Sequence, residues 1–299
     1  MAAARAARAP VVVLESSVLA QGLPFPESLE AARACEAAVR RAGATPAVVA
    51  VLNGRVRCGL SPAEVEALAR GDDRPGKVGA RDLAAAVVGA VSGGTTVSAT
   101  SAVAGALGLP VFATGGIGGV HRGGSGDVSE DLHALARYAG MVVCAGAKSV
   151  LDLPRTLEAL ESLGISVVGF RTSTFPAFYA ASSGLPLRHR AEDVGAAAEL
   201  LAVHRDRLAR PGAVLLCVPP PAAVALEPAE LERALQLAEA EAAGQGINGA
   251  AVTPFLLGEI GRATGGRTLR ANLALLEQNA RVAAEVAVAY AAQPAPEAR

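Results

Sequence analysis

The segment Val111-Phe112-Ala113-Thr114-Gly115-Gly116-Ile117-Gly118-Gly119-Val120-His121-Arg122-Gly123-Gly124-Ser125-Gly126-Asp127-Val128-Ser129-Glu130-Asp131 decides how the chain is read. A short apolar run leads through a glycine-rich loop to Ser129, a capping residue followed by two acids. Strands buried on both faces read as such unbroken apolar runs, and a serine ahead of first-turn carboxylates marks a helix start. Strand, loop and helix in that order are the unit of an α/β fold. Outward from this segment the same alternation continues. Strands are expected at 11–14, 47–52, 95–98, 111–113, 141–144, 166–170 and 213–218. Helices are expected at 27–41, 62–69, 80–91, 130–138, 153–163, 191–208, 229–243, 254–263 and 269–292. No Pro- or Ser-rich linker divides the chain, so one domain over 11–292 is expected, with tails at 1–10 and 293–299.

Composition excludes several classes of function. Lys and Arg number 27 against 28 Asp and Glu, a net charge of −1, which offers no electrostatic footprint for nucleic acid or an anionic membrane. No apolar run approaches the roughly 18–20 residues of a membrane span. The first ten residues hold arginines but no apolar core of a signal peptide. Cys35, Cys58, Cys144 and Cys217 are far apart with no CxxC pair, which suggests neither a disulfide framework nor a zinc site and makes the cytoplasm the default.

Of the 27 basic residues only two, Lys77 and Lys148, are lysine. Arginine pairs with anions as well as lysine does, but it cannot lose its proton near neutral pH to become a nucleophilic amine. The two lysines therefore mark places that need an amine, or are what a bias toward Ala, Gly and Arg left behind. Lys148 follows the apolar run Met141–Cys144, at the strand end where open α/β sheets bind ligands. Glu15 closes the apolar run Val11–Leu14, and a carboxylate there can serve as an acid or simply cap or pair. Asp127, Glu130 and Asp131 crowd a helix start beside His121, as oxygen donors for a hard cation or as partners of the helix dipole. Lys77 and Arg81 flank 78–80 and could neutralise a phosphate or stand in solvent. The glycine loop fits neither a dinucleotide fingerprint, since His121 stands where GxGxxG needs glycine, nor a P-loop.

Taken together, Val13-Leu14-Glu15-Ser16-Ser17, Gly22-Leu23-Pro24-Phe25-Pro26, Lys77-Val78 with Arg81-Asp82, and Thr95-Thr96-Val97 resemble the motifs of one family. Gly115 to Arg122, Asp127-Val128-Ser129 with Asp131, Cys144 to Ser149, Thr253-Pro254-Phe255-Leu256-Leu257 and Asn272 follow in the same order. The resemblance is to the pseudouridine-5′-phosphate glycosidases, or indigoidine synthase A-like proteins, and runs from about Val11 to Tyr290. It implies a three-layer α/β/α sandwich with a mixed, largely buried central sheet, and a homotrimer. It implies reversible cleavage of the C–C glycosidic bond of pseudouridine 5′-phosphate to uracil and ribose 5-phosphate, with a divalent metal, Mn²⁺. By resemblance Glu15 is the proton donor and Lys148 the Schiff-base nucleophile. Lys77, Val97, Ser129, Glu130, Asp131 and Asn272 contact the substrate, and Asp127 holds the metal. A C–C bond has no leaving oxygen to protonate, so paired carboxylates alone do not suffice, and an iminium on Lys148 supplies the electron sink.

Three departures stand out: Gln21 in place of a common His, a segment between Arg122 and Asp127 about two residues short, and Asn248-Gly249-Ala250 where a lysine is common. They leave open an enzyme that joins ribose 5-phosphate to an aromatic natural product. An inactive phosphosugar-binding or scaffold protein is the alternative of another class.

Overall fold

The computed structural model describes residues 10–72, 75–123, 126–247 and 252–293. Apart from Pro10 and Gln293, the two expected tails lie outside the described residues, as does Asn248-Gly249-Ala250. One sheet is built from β1 (Val11–Leu14), β2 (Thr45–Leu52), β3 (Arg55–Cys58), β4 (Gly76–Val78), β5 (Gly93–Thr95), β6 (Val111–Ala113), β7 (Met141–Cys144), β8 (Ser166–Phe170), β9 (His189–Ala191) and β10 (Val214–Cys217). Their order is β4-β5-β2-β1-β6-β7-β10-β8-β9, with β3 on β2. The pairings from β2 to β9 are parallel, whereas β3 and β5 run antiparallel to β2. The sheet is therefore mixed, as expected. Every residue of β1, β6, β7 and β10 is buried, which is why these strands read as unbroken apolar runs.

The helices are α1 (Glu27–Arg41), α2 (Pro62–Arg70), α3 (Leu83–Val88), α4 (Val97–Ala106), α5 (Glu130–Leu135), α6 (Leu153–Ser162), α7 (Val194–Ala202), α8 (Pro228–Gly244), α9 (Val252–Ala263) and α10 (Arg267–Ala291). On one face α10 crosses β1, β6 and β7 and packs against α1 and α7; α4 pairs with α5 on the other. This is the α/β/α sandwich.

Three expectations change. The strand expected at 95–98 stops at Thr95, and α4 begins two residues later. Thr96 is its N-cap, its hydroxyl accepting from Ala99 N at 3.4 Å, so the β-branched Thr95-Thr96-Val97 run is half strand end and half helix cap. The helix expected at 80–91 is a single 3₁₀ turn, Ala80–Asp82, followed by the short α3, which stops at Gly89. The helix expected from 191 begins at Val194, capped by Asp193, because His189–Ala191 pairs with β8. β3, β4 and β9 were absent from the expectation, being only three or four residues long and half exposed.

The loops that follow β6 and β7 keep the ladder going past the strands. Ala145 N donates to Gly115 O at 2.8 Å, Ile117 N to Gly146 O at 3.0 Å, and Lys148 N to Ile117 O at 3.0 Å. From α10, the fully buried Asn279 donates through Nδ2 to Thr114 O at 2.9 Å and Gly115 O at 3.3 Å. Removing it strands the Thr114 carbonyl, takes one of two donors from Gly115 O, and leaves a hole. Asn279→Ala should cost about 2 kcal/mol, read as a lower urea midpoint at unchanged m-value. An unchanged midpoint would show that the helix does not hold this loop.

Candidate active site

Glu15 leaves β1 half-buried, next to the end of β6. Ser17 Oγ donates to its Oε2 at 2.5 Å, and Thr114 Oγ1 donates to its Oε1. Two hydroxyls thus aim the carboxylate. The neighbouring Ser16 is fully buried and ties β1 to β5: its Oγ donates to Val49 O at 2.5 Å and accepts from Thr95 N at 3.0 Å. Glu15 also lines a small, mostly apolar cavity, together with Leu14, Val18, Cys35, Val48, Thr114 and Leu276.

Lys148, half-buried, sits on the loop stitched to Ile117. Lys77 lies in β4, opposite Gly94 of β5. Its pKa is pushed below the ordinary 10.5, first by desolvation and then by repulsion from Lys148, against attraction from Asp131 and Glu15. Residues far apart in sequence, including both lysines of the chain, therefore share one electrostatic neighbourhood. Lys77 is still reached by solvent, so its desolvation is partial. Arg81, its expected companion, points into water with its side chain 81% exposed.

The acids of α5 face inward. Asp131, 7% exposed, accepts from Ser98 N at 2.9 Å and from Gly118 N at 2.8 Å. Glu130 accepts from Arg81 N at 2.8 Å through Oε1 and from Ser98 Oγ at 3.0 Å through Oε2. Ser129 caps α5 and accepts from Asp131 N at 3.3 Å. At the start of α4, Asp131 and Thr96 occupy the amides of Ser98 and Ala99, which leaves the Val97 N–H without a partner among the described residues. Asn272 of α10 is buried.

Asp127 is exposed, its Oδ2 3.9 Å from His121 Nε2. Among the described residues no group of three or more His, Cys, Asp or Glu is arranged to hold a metal. A single exposed carboxylate suits a divalent ion that keeps most of its waters and takes further oxygens from a phosphorylated substrate, not a closed protein cage. The first half of the glycine loop packs closely against the protein itself. A Cβ at Gly116 would come within 2.7 Å of Phe178, and one at Gly118 or Gly119 would run into Ser129 or Thr156. Those glycines admit the protein's own side chains.

Sequence reading missed Ser17 and Thr114, which orient Glu15, and Ser98 and Asn279, which hold the loops. Ser17 and Thr114 stand inside motif segments and could have been singled out there; Ser98 and Asn279 carry no signal of their own.

The family model described as "Indigoidine synthase A like protein" matches residues 1–289. The chain belongs to that family. A pseudouridine-5′-phosphate glycosidase of Myxococcus xanthus is 54% identical over 94% of this chain and 93% of its own. One from Chloroflexus aurantiacus is 51% identical over 93% and 92%. Among solved structures, the prealnumycin C-glycosynthase AlnA in complex with ribulose 5-phosphate superposes with a TM-score of 0.89 at 39% identity, covering 97% of this chain and 95% of its own. An indigoidine synthase A-like protein of Thermotoga maritima gives 0.87 at 38%, covering 94% and 93%.

For this family member the Lys77 environment sets a pH dependence. The folded state disfavours the Lys77 ammonium, so a stability cost is present at neutral pH. That cost is relieved as pH rises through the lowered folded value toward 10.5, where the unfolded chain also loses the proton. Lys77→Met should be at least as stable as wild type at pH 7, and its advantage should shrink on approaching pH 10.5. Urea midpoints of both proteins across this range test it; a gap independent of pH contradicts the assignment.

Proposed function

We propose that the chain is a pseudouridine-5′-phosphate glycosidase, cleaving the C–C bond of its substrate reversibly to uracil and ribose 5-phosphate. The observation that carries this reading is that Glu15, bonded to Thr114 at the end of β6, and Lys148, on the loop stitched through Ile117 to the one after β6, stand at adjoining strand ends, with Lys77 in the same electrostatic neighbourhood. The names and identities of the relatives agree with it.

In this reading Lys77 and the unpartnered Val97 N–H at the start of α4 hold the substrate phosphate, a helix N-terminus and an ammonium being complementary to a dianion. Glu15, held by Ser17 and Thr114, gives its proton to the ribose ring oxygen. The Lys148 amine attacks C1′, the C1′–O bond breaks and the ring opens. The secondary ammonium so formed gives a proton to the Glu15 carboxylate, which passes it to uracil C5; the freed nitrogen lone pair forms the C1′=N iminium, and the C1′–C5 electrons leave with the base. Water adds to the iminium, releasing ribose 5-phosphate and the free amine. Ser129 and Asn272 are proposed substrate contacts. Glu130 and Asp131 each accept two protein hydrogen bonds, one per oxygen, which fixes their carboxylates; both remain proposed substrate contacts.

Asp127 is the proposed ligand of Mn²⁺, which would offset phosphate charge. Asp127→Ala should raise the Mn²⁺ concentration for half-maximal activity at least about tenfold; an unmoved midpoint removes Asp127 from the metal's shell. Assembly as a homotrimer and a cytoplasmic location belong to the same reading, the latter in keeping with four free cysteines.

Incubation with ribose 5-phosphate and borohydride should leave a reduced adduct on Lys148. Lys148→Arg keeps the charge but cannot form the iminium, and should lower kcat/KM by at least about 10³-fold. An adduct-free wild type would point instead to an inactive phosphosugar-binding protein. A second reading, C-ribosylation of an aromatic acceptor, is favoured by the likeness to the C-glycosynthase. A Lys148 adduct without uracil release from pseudouridine 5′-phosphate in the presence of Mn²⁺ would select it.

A further inference from the structure

The strand that carries Lys77 is short, at the sheet's edge, and largely exposed, yet the polypeptide around it is fastened on both sides by side chains. Upstream, Gln21 Nε2 donates to Pro75 O at 2.7 Å. Downstream, three consecutive amides each donate to a side chain. Gly79 N meets Asp82 Oδ2 at 3.0 Å, Ala80 N meets Ser98 Oγ at 3.1 Å, and Arg81 N meets Glu130 Oε1 at 2.8 Å. Ser98 Oγ passes its own proton to Glu130 Oε2 at 3.0 Å. Gly79 packs so closely that a Cβ there would lie 2.5 Å from Glu130 Oε2.

Glu130 therefore reinforces the join between the turn after β4 and the first turn of α4, which Ala80 N also makes directly to Ser98 Oγ. Both of its oxygens are used, one on each segment. Only backbone links that turn to Lys77: Val78 O accepts from Thr96 N at 3.0 Å, and Lys77 lies one residue before it. The unpartnered Val97 N–H lies one residue beyond Thr96. A carboxylate that fixes the 79–81 turn against Ser98 thus sets the spacing between the two groups assigned to the phosphate.

We propose that Glu130 is a positioning residue: by bridging the Arg81 amide and the Ser98 hydroxyl it holds Lys77 and the start of α4 at the separation that selects a phosphorylated sugar. It acts on recognition of the phosphate, not on the amine chemistry at Lys148. The inference rests on the proposed glycosidase reading, and its test separates the two.

The experiment measures borohydride trapping at Lys148 with ribose 5-phosphate and with unphosphorylated ribose, alongside KM and kcat for pseudouridine 5′-phosphate. Glu130→Ala should raise KM about tenfold, the loss of one charge-assisted hydrogen bond, with kcat within about twofold of wild type. Its preference for the phosphorylated sugar in trapping should fall by a similar factor. Glu130→Gln retains an acceptor for Arg81 N–H and should recover most of both. Ser98→Ala, which removes the hydroxyl bridge, should reproduce the KM effect and decides the matter should Glu130→Ala not fold. A wild type that forms no adduct overturns the Schiff-base reading itself. A trapping wild type whose Glu130→Ala or Ser98→Ala variant keeps its KM and phosphate preference overturns the positioning role alone, as does an equal loss in kcat.

Discussion

Ile117 is bonded in both directions to one neighbouring segment: its amide to Gly146 O and its carbonyl to Lys148 N, each at 3.0 Å. The loops after β6 and β7 are thereby locked in register beyond the sheet. A loop lysine would ordinarily wander with its loop; here the backbone hydrogen bonds of a strand pair fix it. The glycine segment then carries the same order onward. Gly118 N reaches Asp131, Ser129 N reaches Gly119 O, and Asp131 in turn reaches α4. One stitched pair of loops so relates β1, β4, α4 and β7 around the site.

The electrostatics run the other way. Partial desolvation and the nearby Lys148 disfavour the Lys77 ammonium, and Asp131 and Glu15 offset this only in part, since the Lys77 pKa still falls. Asp131 is also occupied by two backbone amides, which hold its charge in place without consuming a cation. An incoming phosphate would supply the missing negative charge. In the proposed reading, an anion bound there would restore the Lys77 ammonium that the free protein disfavours.

Much of this was legible in the sequence, for identifiable reasons. The central strands were readable because burial on both faces leaves only apolar residues, as in Val11–Leu14 and Met141–Cys144. The helix start at Ser129 was readable because the cap is a local side-chain-to-backbone contact. The edge strands β3, β4 and β9 were not, because half-exposed strands of three or four residues carry no period. Thr95-Thr96-Val97 misled because β-branching serves a strand end and a helix cap alike. Glu15 and Lys148 could be singled out by chemistry and position. That Asp131, Glu130 and Asn279 each hydrogen-bond to backbone of distant segments is a property of tertiary packing, invisible along the chain.

The glycine-rich segment divides into two unequal halves. From Gly116 to Gly119 each missing side chain is replaced by another residue's atoms, so the backbone there is as confined as a core position. At Gly123 and Gly126 a Cβ would meet nothing within 4 Å, and the only constraint is a left-handed φ of 86° and 70°. The first half cannot drift without repacking Phe178, Ser129 and Thr156, whereas at Gly123 and Gly126 no neighbour would have to move and only the left-handed φ resists a side chain. A difference in length just before Asp127, such as the one that sets this chain apart from the pattern it resembles, therefore need not disturb the packing of the first half.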